Sequence, residues 1–217
     1  MPSITEYREP YKTGGKFEFP EFYDRFQSAI ASVWRPEEVS MGQDVYDWAE
    51  AKPEERAVIA GILRGFTQLE THVACYWGDV VTQYFPKHEV QAMARAFSCS
   101  EAVHAAAYSH LSDTLGIDEF EAFLGDPVAR EKIDYFVSQA DPVVSLGVFS
   151  GAGEGVSLFS SFAALLSFNL DGRFKGVSQI LSWSALDEQQ HSDGGCALFR
   201  QLDAEGRVTG DHKSQIV

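Results

Sequence analysis

A chain of 217 residues, 45% hydrophobic and 23% charged, suits one domain with a substantial core and shows no repeat or low-complexity stretch. Its formal net charge of -15 argues against a nucleic-acid or anionic-membrane partner, because such partners are normally met by clusters of Lys and Arg. The apolar runs are interrupted well before the length of a membrane span, and the start, Met-Pro-Ser-Ile-Thr-Glu, lacks a basic region followed by an apolar one, so neither a span nor an export signal is expected.

Residues 1–19 are polar and rich in Pro, Gly and Lys, which predicts a surface arm ahead of a domain over residues 20–217. An amphipathic segment from Phe22 to Val33 leads to Trp34-Arg35-Pro36, where Pro36 disfavours further helix. A first long helix starts near Pro53, with Glu54 and Glu55 in its first turn. It carries Ile59, Ile62, Phe66, Val73 and Trp77 at helical spacing to about Tyr84, and Pro86 ends it. A second runs from about His88 to Leu115, with Gly116 as its stop and an inner stripe of Met93, Phe97, Glu101, His104, Tyr108, Leu111 and Leu115. Residues 118–140 predict one or two shorter helices broken near Gly125-Asp126-Pro127. A third long apolar segment spans about 142–169, and a fourth runs from about Phe174 to Leu202. Four long helical patterns, few strand signals and short connections predict an all-α bundle with extra short helices.

The polar residues on the inner faces are the informative ones. Glu70 falls in line with Phe66, Val73 and Trp77. Glu154 falls in line with Leu158, Phe162 and Leu165, and Glu188 and His191 accompany Leu181, Ser184 and Leu198. A carboxylate buried there without compensation costs several kcal/mol or takes up a proton. Residues three apart on a helix differ by about 60° of rotation and about 4.5 Å of rise, so Glu101/His104 and Glu188/His191 can each aim a carboxylate and an imidazole at one point. Chance alone gives roughly half of one such Glu-x-x-His motif in this composition. Two of them, alternating with two single inward glutamates, form the ligand arrangement of ferritin-like dimetal carboxylate proteins. Oxygen-rich ligands with a few imidazoles suit two iron or manganese ions better than zinc. Four carboxylates facing two divalent cations would also account for part of the acidic balance.

These residues resemble the class I ribonucleotide reductase small subunit over about residues 30–200. Ser100-Glu101-Ala102-Val103-His104-Ala105-Ala106-Ala107-Tyr108 is similar to that family's metal and radical helix, and Asp187-Glu188-Gln189-Gln190-His191 to its second motif. Trp34, in Trp-Arg-Pro-Glu-Glu-Val, matches its near-surface tryptophan. The resemblance implies that Trp34, Asp187 and a metal-bound histidine relay an electron and a proton, and that Tyr108 can store a radical. It also implies a homodimer that makes a one-electron oxidant and passes it to a large catalytic subunit, which reduces ribonucleotides to deoxyribonucleotides. Glu70 stands where aspartate is common in the best-known members, a substitution also met in the dimanganese, superoxide-activated branch. Family members run on through further helices into a tail that docks the large subunit and carries a relay tyrosine, whereas here the last tyrosine is Tyr135 and the sequence ends at Val217. On that reading the polypeptide assembles its cofactor but supports little turnover unless another polypeptide supplies the rest.

Two other functions fit the same scaffold: a ligand-binding or substrate-oxidising dimetal oxidase, which needs a substrate channel, and a metal-storage bundle, which takes up far more than two ions per chain. His72, His88, His110 and His212 fall in no pattern and are expected at the surface or in structural roles. Cys75, Cys99 and Cys196 suit a reducing cytoplasm, and each is expected as a small core residue rather than a disulfide partner or zinc ligand.

Overall fold

The computed structural model of the chain describes residues 3–7, 17–118, 120–139 and 141–216, and among these no strand occurs. Helix α1 (Pro20–Ala31) leads past Trp34 and a 3-10 turn, Pro36–Glu38, to α2 (Gly42–Glu50). Helix α3 is α-helical over Pro53–Cys75, becomes π-helical over Tyr76–Val81 and finishes with the turn Thr82–Tyr84. Then come α4 (His88–Leu115), α5 (Phe120–Leu124) and α6 (Pro127–Val137). Helix α7 has three continuous parts, Pro142–Gly147, a π-helical Val148–Ser157 and Leu158–Leu166, and ends in the 3-10 turn Ser167–Asp171. The last two are α8 (Lys175–Ala204) and α9 (Gly210–Ile216). The four long helices α3, α4, α7 and α8 form a ferritin-like bundle, in which α3 packs along α4 and α8 along α7, while α1 lies over α4.

Local chemistry sets the boundaries. Gly116 takes the left-handed conformation (φ 67°) at the end of α4, where Gly116 N donates to Asp113 O at 3.2 Å and Ile117 N to Ser112 O at 2.8 Å. The break between α5 and α6 falls where Asp126 caps α6, its Oδ1 accepting from Val128 N and Ala129 N at 2.8 and 3.0 Å, with Pro127 in the first turn. Asp141 caps α7 in the same way through Val143 N and Val144 N. The expected inner stripe of α4 is buried at every position from Met93 to Leu115, as are Leu158, Phe162 and Leu165 of α7 and Leu181, Ser184 and Leu198 of α8.

Helices α7 and α8 approach closely because glycine stands at the crossing. A Cβ added at Gly195 would overlap Ser150 of the π-helical segment; on the side facing α4, one at Gly194 would fall 2.7 Å from the Phe97 ring. Gly195→Ala is therefore expected to lower stability by about 1–3 kcal/mol, the usual effect of overpacking a filled interior, and thermal melting checks this. A melting temperature equal to the parent's would show that the two helices can part without cost. Helix α7 through its 3-10 turn, Pro142–Asp171, is also long and apolar enough by composition to cross a membrane, with a mean hydropathy of 1.3 over its most apolar 18 residues. It holds Glu154 and packs against α8 within the bundle.

Four features differ from the sequence expectations. Helix α2 was unexpected because its buried residues include Asp44 and Asp47 rather than an apolar stripe. Those carboxylates cap the N-terminus of α8: Asp44 accepts from Gly176 N at 3.0 Å and Val177 N at 2.8 Å, and Asp47 accepts from Phe174 N at 2.8 Å. Helix α9, short and polar, also gave no periodic signal. Within the stretch expected as a surface arm, Ile4 is fully buried, with its N–H donating to Glu205 Oε1 at 2.9 Å, and a single apolar residue among polar ones has no period to reveal it. Residues 8–16 of that arm lie outside the described residues. Finally, Cys75 and Cys99 are exposed and Cys196 half-buried, so the expected core positions are corrected: all three lie off the inner stripes of their helices.

Candidate metal centre

The bundle brings the six inward Glu and His side chains to one place, each of them at most 1% exposed. They fall into two overlapping groups whose potential ligand atoms lie within 4.8 Å of one another: Glu70, Glu101, His104 and Glu188, and Glu101, Glu154, Glu188 and His191. Glu101 and Glu188 belong to both groups, as bridging carboxylates would. His104 Nδ1 lies 3.1 Å from Glu101 Oε2 and 3.0 Å from Glu188 Oε1, and His191 Nδ1 lies against Glu101 Oε1 and 3.7 Å from Glu188 Oε2.

Hydrogen bonding leaves much of this cluster unsatisfied. Both oxygens of Glu70 and of Glu188, Oε1 of Glu101, Oε2 of Glu154 and Nδ1 of His191 are buried without a hydrogen-bond partner among the described residues. Several of these atoms approach one another closely without hydrogen-bond alignment. Buried polar groups are rarely left so, since each costs about 1–3 kcal/mol. Lone pairs converging on two common points from carboxylates and imidazoles are what a pair of divalent cations requires, so the donor set fits iron or manganese.

Without metal, charge has to be balanced by protons. Burial, followed by the charges of Glu101 and Glu188, pushes the Glu70 carboxyl well above the usual range. Burial also raises Glu154, with Glu188 and Glu101 adding to the shift and His191 opposing it. Burial would likewise raise Glu101, but the two imidazoles beside it win and hold it far below normal. Burial disfavours the charged imidazoles as well, yet the surrounding carboxylates raise His104 well above its usual value and His191 to about 10. The metal-free cluster thus holds protons where cations would sit.

Around the cluster, His104 turns Nε2 outward to Asp187 Oδ2 at 3.1 Å, and the same oxygen accepts from Trp34 Nε1 at 2.8 Å. The Trp34 ring also stacks on His104 at 5.8 Å between centroids. Trp34, Asp187 and His104 therefore form one continuous chain from the edge of the bundle to its core. Tyr108, one turn beyond His104, is fully buried with its ring centroid 6.3 Å from that of His104, and its hydroxyl has no aligned hydrogen-bond partner among the described residues. Burial and the nearby Glu70 charge push its ionisation well above the ordinary value.

One polar contact to the cluster went unrecognised in the sequence: Trp77 Nε1 donates to Glu154 Oε1 at 2.7 Å. Trp77 was assigned only to core packing, although its place on the Glu70 face of α3 was the available signal. Glu154 itself lies in the π-helical part of α7, where the carbonyl of Ser150 accepts from Ser192 Oγ of α8 at 2.7 Å. Such segments recur at functional sites because the extra residue re-aims a side chain. Trp77→Phe is expected to leave the fold intact and weaken metal binding by about 10–100-fold, as loss of a ligand's hydrogen-bonding partner does, and metal titration measures this.

Comparison with known proteins agrees with this geometry. Residues 15–216 match the family described as ribonucleotide reductase, small chain. The chain belongs to that family. The probable ribonucleoside-diphosphate reductase small subunit 376L of Invertebrate iridescent virus 6 is 36% identical, across 96% of this chain and 63% of the viral protein. Two solved structures share the fold of this small chain. Streptococcus sanguinis dimanganese(II)-NrdF has a TM-score of 0.81 at 18% identity, covering 97% of this chain and 76% of that one. An R2-like ligand-binding oxidase mutant with an aerobically reconstituted Mn/Fe cofactor has a TM-score of 0.76 at 19% identity, covering 88% and 77%. The chain spans about half to two thirds of the length of the curated relatives it matches.

Proposed function

We propose that this chain is the oxidant-generating small subunit of a class I ribonucleotide reductase, working in the cytoplasm as a homodimer with a large catalytic subunit that reduces ribonucleotides. The observation that carries the reading is the hydrogen-bonded chain Trp34–Asp187–His104, which ends on the cluster of Glu and His side chains. A storage bundle needs the ligands but has no use for such a chain.

In this reading Glu70, Glu101, His104, Glu154, Glu188 and His191 would hold the two ions, with Glu101 and Glu188 common to both groups. Bound iron or manganese supplies a one-electron oxidant, and the solved relatives described with manganese or with manganese and iron support either metal. Asp187 orients His104 through Nε2 and stands ready to take the indole proton of Trp34 when that ring gives up an electron. The apolar shell of Phe66, Phe97 and Phe162 excludes water from the cluster. Tyr108, buried within reach of His104, is the candidate for a stored radical.

A second reading, a ligand-binding oxidase, draws on a cavity of about 650 Å³ beside α3, lined in part by Gly65, Phe66, Leu69, Phe123 and Ile133. The experiment combines metal analysis, electron paramagnetic resonance after aerobic reconstitution, and nucleotide reduction with the cognate large subunit and a C-terminal segment added in trans. About two iron or manganese ions per chain and turnover with the large subunit support the reductase. A lipid-like molecule retained in native mass spectrometry, with no turnover, would favour the oxidase.

A further inference from the structure

From the contact between two indoles, we infer that Trp183 is the outer member of a two-tryptophan relay that carries oxidising equivalents between Trp34 and the protein surface. The inference deepens the reductase reading and rests on it. The Trp183 ring lies 5.4 Å from the Trp34 ring, tilted by 48°, which is van der Waals contact between two π systems. Trp183 sits one turn before Asp187 on α8, so the two residues share a helix face and Trp34 touches both.

Exposure gives the pair a direction. Trp34 is only 7% exposed, whereas Trp183 is half-buried, with Leu186 and Val33 nearby in sequence each 66% exposed. The ordered series His104, Trp34, Trp183 thus runs from the buried cluster outward, each ring within 6 Å of the next. The indole nitrogens differ in a matching way. Trp34 N–H is bonded to Asp187, whereas Trp183 makes no hydrogen bond to the described residues.

The step balances as follows. Oxidation of Trp34 by the one-electron oxidant of the metal pair removes one electron and passes its N–H proton to Asp187. Trp183 then gives one electron to Trp34, which recovers the proton from Asp187. The oxidised Trp183 then releases its own N–H proton to water and remains as a neutral indolyl radical.

The test uses metal-free protein carrying Trp48→Phe, since Trp48 is the other half-buried indole and Trp77 is fully buried. Azide radicals generated by pulse radiolysis oxidise accessible indoles, and transient absorption follows the indolyl radical. With both Trp34 and Trp183 present, the radical should form rapidly and persist on Trp34. Adding Trp183→Phe should slow formation of the persistent signal severalfold, because the radical must then reach Trp34 directly. Adding Trp34→Phe should instead leave formation fast and shorten the lifetime severalfold. Formation at the parental rate in the Trp183→Phe protein would overturn the relay. If that variant does not fold by circular dichroism, Trp183→Tyr replaces it. The radical should then move from indole to phenol, and a persistent indolyl signal at the parental rate and yield would overturn the proposal equally. Because no metal is present, this outcome is independent of the reductase reading, which stands or falls on metal loading and turnover.

Discussion

Glu101→Ala is expected to remove both metal ions, whereas Glu70→Ala or Glu154→Ala should each leave about one ion bound per chain. Glu101 belongs to both ligand groups, Glu70 and Glu154 to one each. Loss of a mere neighbour of a ligand costs about 10–100-fold in affinity, so loss of a shared ligand should cost more at both positions. Elemental analysis after reconstitution reads the difference directly, and full loading of the Glu101→Ala protein would sink the assignment. The stability of the metal-free forms should move in opposite directions. Glu101 lies within 3.1 Å of both imidazoles, closer to His191 than Glu188 does, so its removal strands buried charge and should cost about 3–5 kcal/mol. Neither oxygen of Glu70 has an aligned hydrogen-bond partner among the described residues, so Glu70→Leu should stabilise the metal-free protein by about 1–3 kcal/mol while weakening metal binding. Chemical denaturation with a chelator present measures both.

The same cluster sets a pH dependence. Glu70 and Glu154 have raised proton affinity, as do His104 and His191, the last to about 10. Incoming cations must displace those protons. Metal affinity should therefore rise with pH through the neutral range, with protons released on loading. Calorimetric titration in buffers of different ionisation enthalpy counts them, and a binding heat independent of the buffer would contradict the protonated metal-free state.

Asp187→Asn is expected to keep the fold and much of the metal while losing most nucleotide reduction with the large subunit. Asp187 Oδ2 accepts from both Trp34 and His104. Asparagine still offers an oxygen to both donors but cannot take up the indole proton. Asp187→Ala adds a structural penalty, because two buried N–H groups lose their acceptor at about 1–3 kcal/mol each. The pair of variants separates the two effects: melting temperature and metal content should recover in Asp187→Asn, and turnover should not. Turnover equal to the parent's in the asparagine variant would show that Asp187 only holds its neighbours in place.

The four long helices, their breaks at Pro86, Gly116 and Gly125–Pro127, and the inward direction of six Glu and His residues were legible from periodicity. An apolar stripe fixes which way a helix turns, and any polar residue within the stripe is then carried to the core. Tyr108 and the Glu and His residues on α4 and α8 needed nothing further. Tertiary packing alone settled what depends on elements distant in the chain. Helix α2 escaped notice because it buries Asp44 and Asp47, whose purpose is visible only beside the N-terminus of α8. The bond from Trp77 to Glu154 joins residues 77 positions apart, and the contact of Trp34 with Trp183 joins segments at opposite ends of the domain. The π-helical turn around Glu154 lies against α8 at Gly195 and accepts the bond from Ser192 at Ser150, contacts that have no local signature. Periodicity reports the orientation of each helix about its own axis; which helix it faces, and how closely, follows from packing the helices together.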